Sequence, residues 1–289
     1  MTDRLPGSRP YLEKLGTRIA AVGSVLCLGI DPTPDRLPAS FPRTLEGIER
    51  FAQLLLEAAG PYAAAVKPNL AFFEAWGSGG LAALERLRGR LPADLPVILD
   101  AKRADIGPTS VHGAAALFDA WGADAVTVNP YLGRDAIEPY LTREPGFAYV
   151  LCRTSNPGAA EFQDLTVGDE PLYLHVARTV AAWAPAGGVG LVVGATAPDE
   201  LRRIRAAAPA LPFLVPGVGE QGGSDGVVLE AGPATDGPAA GIRGGALLVN
   251  VSRAIASAAA ALHTGSAGDP GEAVARAAKG WAGRLRVLA

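Results

Sequence analysis

A single-domain (β/α)8 TIM barrel is the fold the sequence predicts, on three observations. Eight apolar runs of strand length recur along the 289 residues, helix-like stretches separate them, and polar residues collect where each run stops. The runs are 25–31, 63–69, 96–102, 125–131, 149–155, 189–196, 213–219 and 246–252. They lack the polar alternation of a half-exposed sheet, as expected of strands covered on both faces. Helical patterns fill 44–59, 80–90, 109–121, 171–184 and 198–208 between them. An open doubly wound sheet is the alternative, but Gly29-Ile30-Asp31-Pro32 after the first run is no dinucleotide fingerprint.

The remaining segments fit around that rhythm. Residues 1–24 form a helical extension before the first strand, and a last helix covers about 271–286. The long connections 32–43 and 156–170 are expected to lie over the strand ends, where lids are found. Residues 232–244, rich in Gly, Pro and Ala, read as a flexible insertion between strands seven and eight.

Composition narrows the partners. With 49% hydrophobic and 19% charged residues there is material for a large core, and a net charge of −3 argues against nucleic acid or an anionic membrane as partner. Cys27 and Cys152 each sit inside an apolar run and read as reduced, buried thiols. The first residues carry Asp3, Arg4, Arg9, Glu13 and Lys14 with no apolar core between them, unlike a secretory signal, so a cytoplasmic location is expected. The uncharged stretch 179–198 is broken by Pro185, Gly187, Gly188 and Gly190 and splits into a helix end, a turn and a buried strand. His112, His175 and His263 lie far apart in sequence, so no metal site is expected from them.

The strand ends carry the chemistry. Lysine occurs at only four positions, Lys14, Lys67, Lys102 and Lys279, among 26 basic residues, yet Lys102 sits in Asp100-Ala101-Lys102-Arg103-Ala104-Asp105 at the end of strand three. An ammonium can give up a proton and a guanidinium in practice cannot, so the cluster reads as a proton-transfer site. Alternation along the strand puts Asp100 and Lys102 on one face, with Lys67 able to approach from strand two and Asp105 a fourth candidate member. Carboxylate neighbours favour the ammonium form, which suits a general acid better than a Schiff-base nucleophile. A buried structural ion-pair network is the plainer reading of the same residues. Near strands seven and eight, the run Gly217-Val218-Gly219-Glu220-Gln221-Gly222-Gly223 and the step Ser252-Arg253 offer backbone amides, a helix start and a guanidinium fork to a phosphate.

These motifs resemble the orotidine 5′-phosphate decarboxylase family. Asp100-Ala101-Lys102-Arg103-Ala104-Asp105-Ile106 looks like its signature, and Ile30-Asp31-Pro32, Val66-Lys67-Pro68-Asn69, Thr154-Ser155-Asn156-Pro157-Gly158, Pro216 through Gly223 and Ser252-Arg253 fall in the family's order. Length and the Lys-Pro-Asn form resemble its longer bacterial branch. The resemblance implies a homodimeric barrel with shared active sites that converts orotidine monophosphate to uridine monophosphate and CO2 without metal or organic cofactor. It implies Lys102 as proton donor to C6, Asp100 beside the departing carboxylate, Lys67 in contact with the ribose and the charge network, and Asp31 on the ribose. Asp105 and Thr109 would enter the neighbouring subunit's site, Ser155 would read the pyrimidine, and Gln221 and Arg253 would hold the phosphate. Where shorter relatives carry an Arg after strand seven, this chain has Val218-Gly219, which leaves that loop's phosphate contacts to Gln221 and backbone amides.

Two rivals remain at this stage. A Mg²⁺-dependent sugar-phosphate lyase or synthase of the same suprafamily resembles the chain at the Asp-x-Lys-x-x-Asp cluster, but needs a carboxylate ligand where strand two ends Lys67-Pro68-Asn69, Glu74 being the nearest. A non-catalytic nucleotide-binding barrel would gain little from alternating buried charges.

Overall fold

The computed structural model describes residues 10–144, 146–183, 188–220, 222–260 and 268–287. Within them the eight predicted strands form one parallel sheet: β1 (Leu26–Ile30), β2 (Ala65–Pro68), β3 (Ile98–Arg103), β4 (Ala125–Val128), β5 (Phe147–Arg153), β6 (Val189–Val193), β7 (Phe213–Pro216) and β8 (Leu248–Val251). Pairing runs β2-β1-β8-β7-β6-β5-β4-β3. The two ends of that order meet through the bridges Val66↔Val97 and Asn69↔Asp100, and the Val66 amide donates to the Pro96 carbonyl at 2.9 Å. The sheet is therefore a closed barrel, without the exposed edges an open sheet would have to protect. Every residue of β1, β2, β4, β6 and β8 is buried, which is why these runs show no alternation: one face packs inside the barrel and the other beneath helices.

Helices Leu45–Ala59, Gly77–Gly89, Gly107–Ala115, Leu172–Trp183 and Pro198–Ala207 stand where periodicity places them, and Arg134–Thr142 fills the crossover between β4 and β5. The helix from Gly107 ends in a π-turn, Ala116–Ala120. The C-terminal helix spans Pro270–Arg284.

Residues 1–9 of the N-terminal extension lie outside the described residues; the rest forms the helix Pro10–Val22, which closes the barrel at the strand starts. Tyr11 packs on Phe147 with ring centroids 4.7 Å apart, and its hydroxyl lies 3.0 Å from that of Tyr149. Lys14 holds Asp124 at 2.8 Å while the same carboxylate accepts from the Val97 amide, so one acidic side chain ties the helix to the starts of β3 and β4. A buried tyrosine needs a partner for its hydroxyl, and here each of the pair supplies the other's.

Two segments differ from expectation. Residues 232–244 are not an unpacked insertion: they form a short helix, Gly237–Ala240, and a 3-10 turn, and bury Ala234, Ala239 and Ile242, with Ile242 against Gly16 of the N-terminal helix. Small residues read as turn material can equally allow close packing. The connection 156–170 is a 3-10 turn, Pro157–Glu161, followed by a two-stranded hairpin pairing Thr166–Val167 with Glu170–Pro171.

Candidate active site

The mouth of the barrel is where β2 and β3 end, and the chain is irregular at that point. Pairing of β3 with β4 holds at Leu99↔Val126 and resumes at Arg103↔Val128, with a register shift between. Lys102 sits inside the shift at φ 47°, a left-handed conformation that costs a non-glycine residue about 1 kcal/mol or more. Bulges of this kind re-aim side chains. Lys102 therefore reaches Asp100 through a kinked strand rather than by the simple alternation the sequence suggests.

Three charges converge there. Lys67 Nζ lies 2.5 Å from Asp100 Oδ2, and Lys102 Nζ lies 2.6 Å from Asp100 Oδ1. Lys67 and Asp100 are buried, whereas the Lys102 side chain is 49% exposed. The backbone sets this up: the amide of Leu70, just past β2, donates to the Asp100 carbonyl at 3.2 Å and holds the two strand ends together. Burial alone would raise the Asp100 pKa, but the Lys67 and Lys102 ammonium groups outweigh it and hold the carboxyl far below the usual carboxylate range. Burial alone would lower the Lys67 pKa, and the charges of Asp100 and Asp31 outweigh it in turn, so the ammonium form is strongly favoured.

Thr127 is a member the sequence reading missed. Its hydroxyl donates to Asp100 Oδ1 at 2.8 Å and accepts from the Lys102 amide at 3.0 Å, so one side chain fixes both the carboxylate and the strained backbone. The only clue in the sequence is a polar residue inside the apolar run Ala125-Val126-Thr127-Val128.

A cavity of about 160 Å³ opens above the array, and Asp31, Ser155, Asn250, Ser252 and Arg253 line it together with Lys67 and Asp100. Asp31 Oδ1 and Asn250 Oδ1 are buried there without a hydrogen-bond partner among the described residues. Buried acceptors are nearly always paired, so these two mark where a ligand's donors would fit.

The other sites resolve differently. The strand β8 runs into the helix Arg253–Ala260, as expected. In the glycine-rich turn after β7, Gly217 and Gly219 take φ 103° and 95°, and the amides of Gly223 and Gly222 donate to the Gly217 and Gly219 carbonyls at 3.1 and 2.9 Å. Those two amides serve the turn itself. Glu220 bridges Arg253 and Arg36, its Oε2 lying 3.3 and 3.4 Å from their Nη1 atoms. Gln221 and His263 lie outside the described residues. Asp105 does not join the array of its own chain: it is exposed and its Oδ1 accepts from the Ile106 amide at 2.8 Å. Thr109 is exposed on the helix Gly107–Ala115.

Glu74, the candidate metal ligand of the lyase rival, is ion-paired to Arg103. Among the described residues no three His, Cys, Asp or Glu side chains gather as metal ligands would. Cys27 and Cys152 are free, buried thiols. Among the described residues no helix is long and apolar enough to cross a membrane.

The family model described as "Orotidine 5'-phosphate decarboxylase / HUMPS family" matches residues 24–267. The chain is 49% identical over 216 residues to the orotidine 5′-phosphate decarboxylase of Thermomicrobium roseum, covering 74% of this chain and 77% of the relative. It is 46% identical over 247 residues to that of Roseiflexus castenholzii, covering 85% and 88%. The solved structure of Leishmania donovani OMP decarboxylase superposes with a TM-score of 0.79 at 38% identity, covering 95% of this chain and 96% of that one.

Proposed function

The chain belongs to the orotidine 5′-phosphate decarboxylase / HUMPS family, and on that premise we propose that Lys67, Asp100 and Lys102 are the residues with which it decarboxylates orotidine 5′-monophosphate. It is a carboxy-lyase of pyrimidine biosynthesis, giving uridine 5′-monophosphate and CO2. The observation that carries the assignment of residues is the Lys67–Asp100–Lys102 array at the barrel mouth. When the bond from C6 to the carboxyl carbon breaks, the electron pair stays on C6 as a poorly stabilised carbanion. A fixed ammonium a few ångströms away favours that charge and then supplies the proton that replaces CO2. Lys102 fits this role because its ammonium, on the most exposed side chain of the three, is held at the rim of the mouth by Asp100. Asp100, held ionised by two ammonium groups, positions Lys102 and lies beside the departing carboxylate.

The lining of the cavity supports the rest of the placement. Asp31, with an unpartnered buried oxygen, takes the ribose hydroxyls; Ser155 faces the pyrimidine; Arg253, on the first turn of its helix, takes the phosphate together with Gln221. The donor set needs neither metal nor organic cofactor for this chemistry. A spectrophotometric assay on metal-stripped protein tests the reading directly. Loss of the orotidine monophosphate absorbance at the same rate with and without chelator is expected, and a rate abolished by chelator and restored by Mg²⁺ would revive the metal-dependent alternative.

The enzyme works as a homodimer with shared sites, in the cytoplasm. Asp105 and Thr109 are exposed beyond β3, and the segments that follow the adjacent strands β3 and β4 expose Ile106, Val111, Tyr131 and Leu132, with Tyr131 84% exposed. Apolar surface next to an exposed carboxylate is what a subunit contact would cover. Mixing Lys102→Ala with Asp105→Asn chains should restore about a quarter of wild-type activity, because half the dimers form as heterodimers with one intact site each. No recovery on mixing would place Asp105 outside the partner's site. Buried free thiols are in keeping with a reducing compartment.

A further inference from the structure

Two arginines that follow the neighbouring strands β1 and β8 share one carboxylate oxygen. Arg36 ends the 3-10 turn Pro34–Arg36 after β1, Arg253 opens the helix after β8, and Glu220 stands between them on the glycine-rich turn after β7. Arg36 and Arg253 also line one cavity of about 150 Å³ that continues from Asp31. Arg253 and Glu220 both border the cavity over the array. A carboxylate thus occupies the position between two guanidinium groups that an anionic oxygen of a ligand would take.

We propose that Glu220 is an internal stand-in for the substrate's phosphate, displaced when the nucleotide binds, and that Arg36 then joins Arg253 as a second guanidinium on the phosphate. The proposal rests on reading this mouth as the nucleotide site. Three observations carry it. Both ion pairs of Glu220 are more than a third exposed, so each is screened and weak. A phosphate dianion carries more charge than a carboxylate and offers more acceptor oxygens to two guanidinium forks, so exchange favours the ligand. The turn that carries Glu220 contains Gly219 at φ 95° and Gly222 at φ 80°, conformations that glycine adopts freely, so the side chain can swing out at little backbone cost. With Arg36 on the loop after β1, phosphate binding would tie that loop to the helix after β8 and draw it over the nucleotide.

The alternative is that Glu220 is a strut whose removal loosens the site. The two ideas predict opposite signs. Uridine monophosphate affinity, read by equilibrium titration, should rise about threefold in Glu220→Gln, because a competing charge is gone. It should fall about tenfold in Arg36→Ala, with the loss in turnover appearing in KM more than in kcat. Uridine, which lacks the phosphate, should bind both variants as it binds wild type. Weaker nucleotide binding in Glu220→Gln, or unchanged binding in Arg36→Ala, overturns the proposal. Wild-type turnover separates the two levels: failure of the unmodified chain to decarboxylate orotidine monophosphate sinks the functional reading, whereas normal turnover with an indifferent Arg36→Ala sinks only this one.

Discussion

Lys102→Ala should lose about ten-thousandfold or more in kcat while still binding uridine monophosphate measurably. The estimate joins the two things the ammonium supplies, a positioned proton and charge stabilisation at C6, each worth on the order of 10² to 10³. Binding survives because the groups assigned to ribose and phosphate lie elsewhere in the cavity. Folding should survive as well: Lys102 is half-exposed, and its removal leaves the buried Lys67–Asp100 pair intact. Rapid-quench measurement of CO2 release, beside a nucleotide titration and a thermal melt, separates these contributions. Turnover within tenfold of wild type would remove Lys102 as the proton donor.

Asp100→Ala should damage activity and stability together. Truncation leaves the buried Lys67 ammonium without its nearest counter-charge, and breaking a buried pair from one side typically costs about 3–5 kcal/mol. The pH dependence follows from the directions of the two shifts. Asp100 has its folded pKa depressed by Lys67 and Lys102, so its contribution is fully present above the unfolded carboxylate value of about 3.9 and is lost as pH falls through the folded pKa. Lys67, where Asp100 and Asp31 outweigh burial, has its folded pKa raised. Its contribution is fully present below the unfolded value of about 10.4 and is lost as pH rises through the folded pKa. The stabilisation that the pair gives the wild type should therefore be flat between about pH 4 and pH 10 and shrink toward either extreme, and the difference from the variant should narrow on the alkaline side as the uncompensated Lys67 loses its proton. Urea unfolding across that range measures it, and a difference that grows on alkalinisation would contradict the assignment of charges.

How much of this was readable in the sequence depends on what each feature is made from. Strand count and order were legible because burial on both faces leaves an unbroken apolar run, as in Val189–Val193. Lys67, Asp100 and Lys102 were legible because polar residues at the ends of such runs have few places to go except the mouth. The way Lys102 gets there was not: nothing in its identity predicts a left-handed backbone, and the register shift that produces it arises from pairing with β4. Thr127 was hidden because a threonine in a strand is ordinary. The link between Arg36, Glu220 and Arg253 joins residues from three loops far apart in sequence, and only closure of the barrel brings them together.

The helix Pro10–Val22 matters for traffic as well as for packing. With Tyr11 seated against Phe147 and hydrogen-bonded to Tyr149, the strand starts are stoppered by aromatic side chains. Departing CO2 must then share its exit with the nucleotide that covers the mouth. Gas escape and product release become successive events at one doorway, so how quickly that doorway opens can limit turnover even when the bond-breaking step is fast.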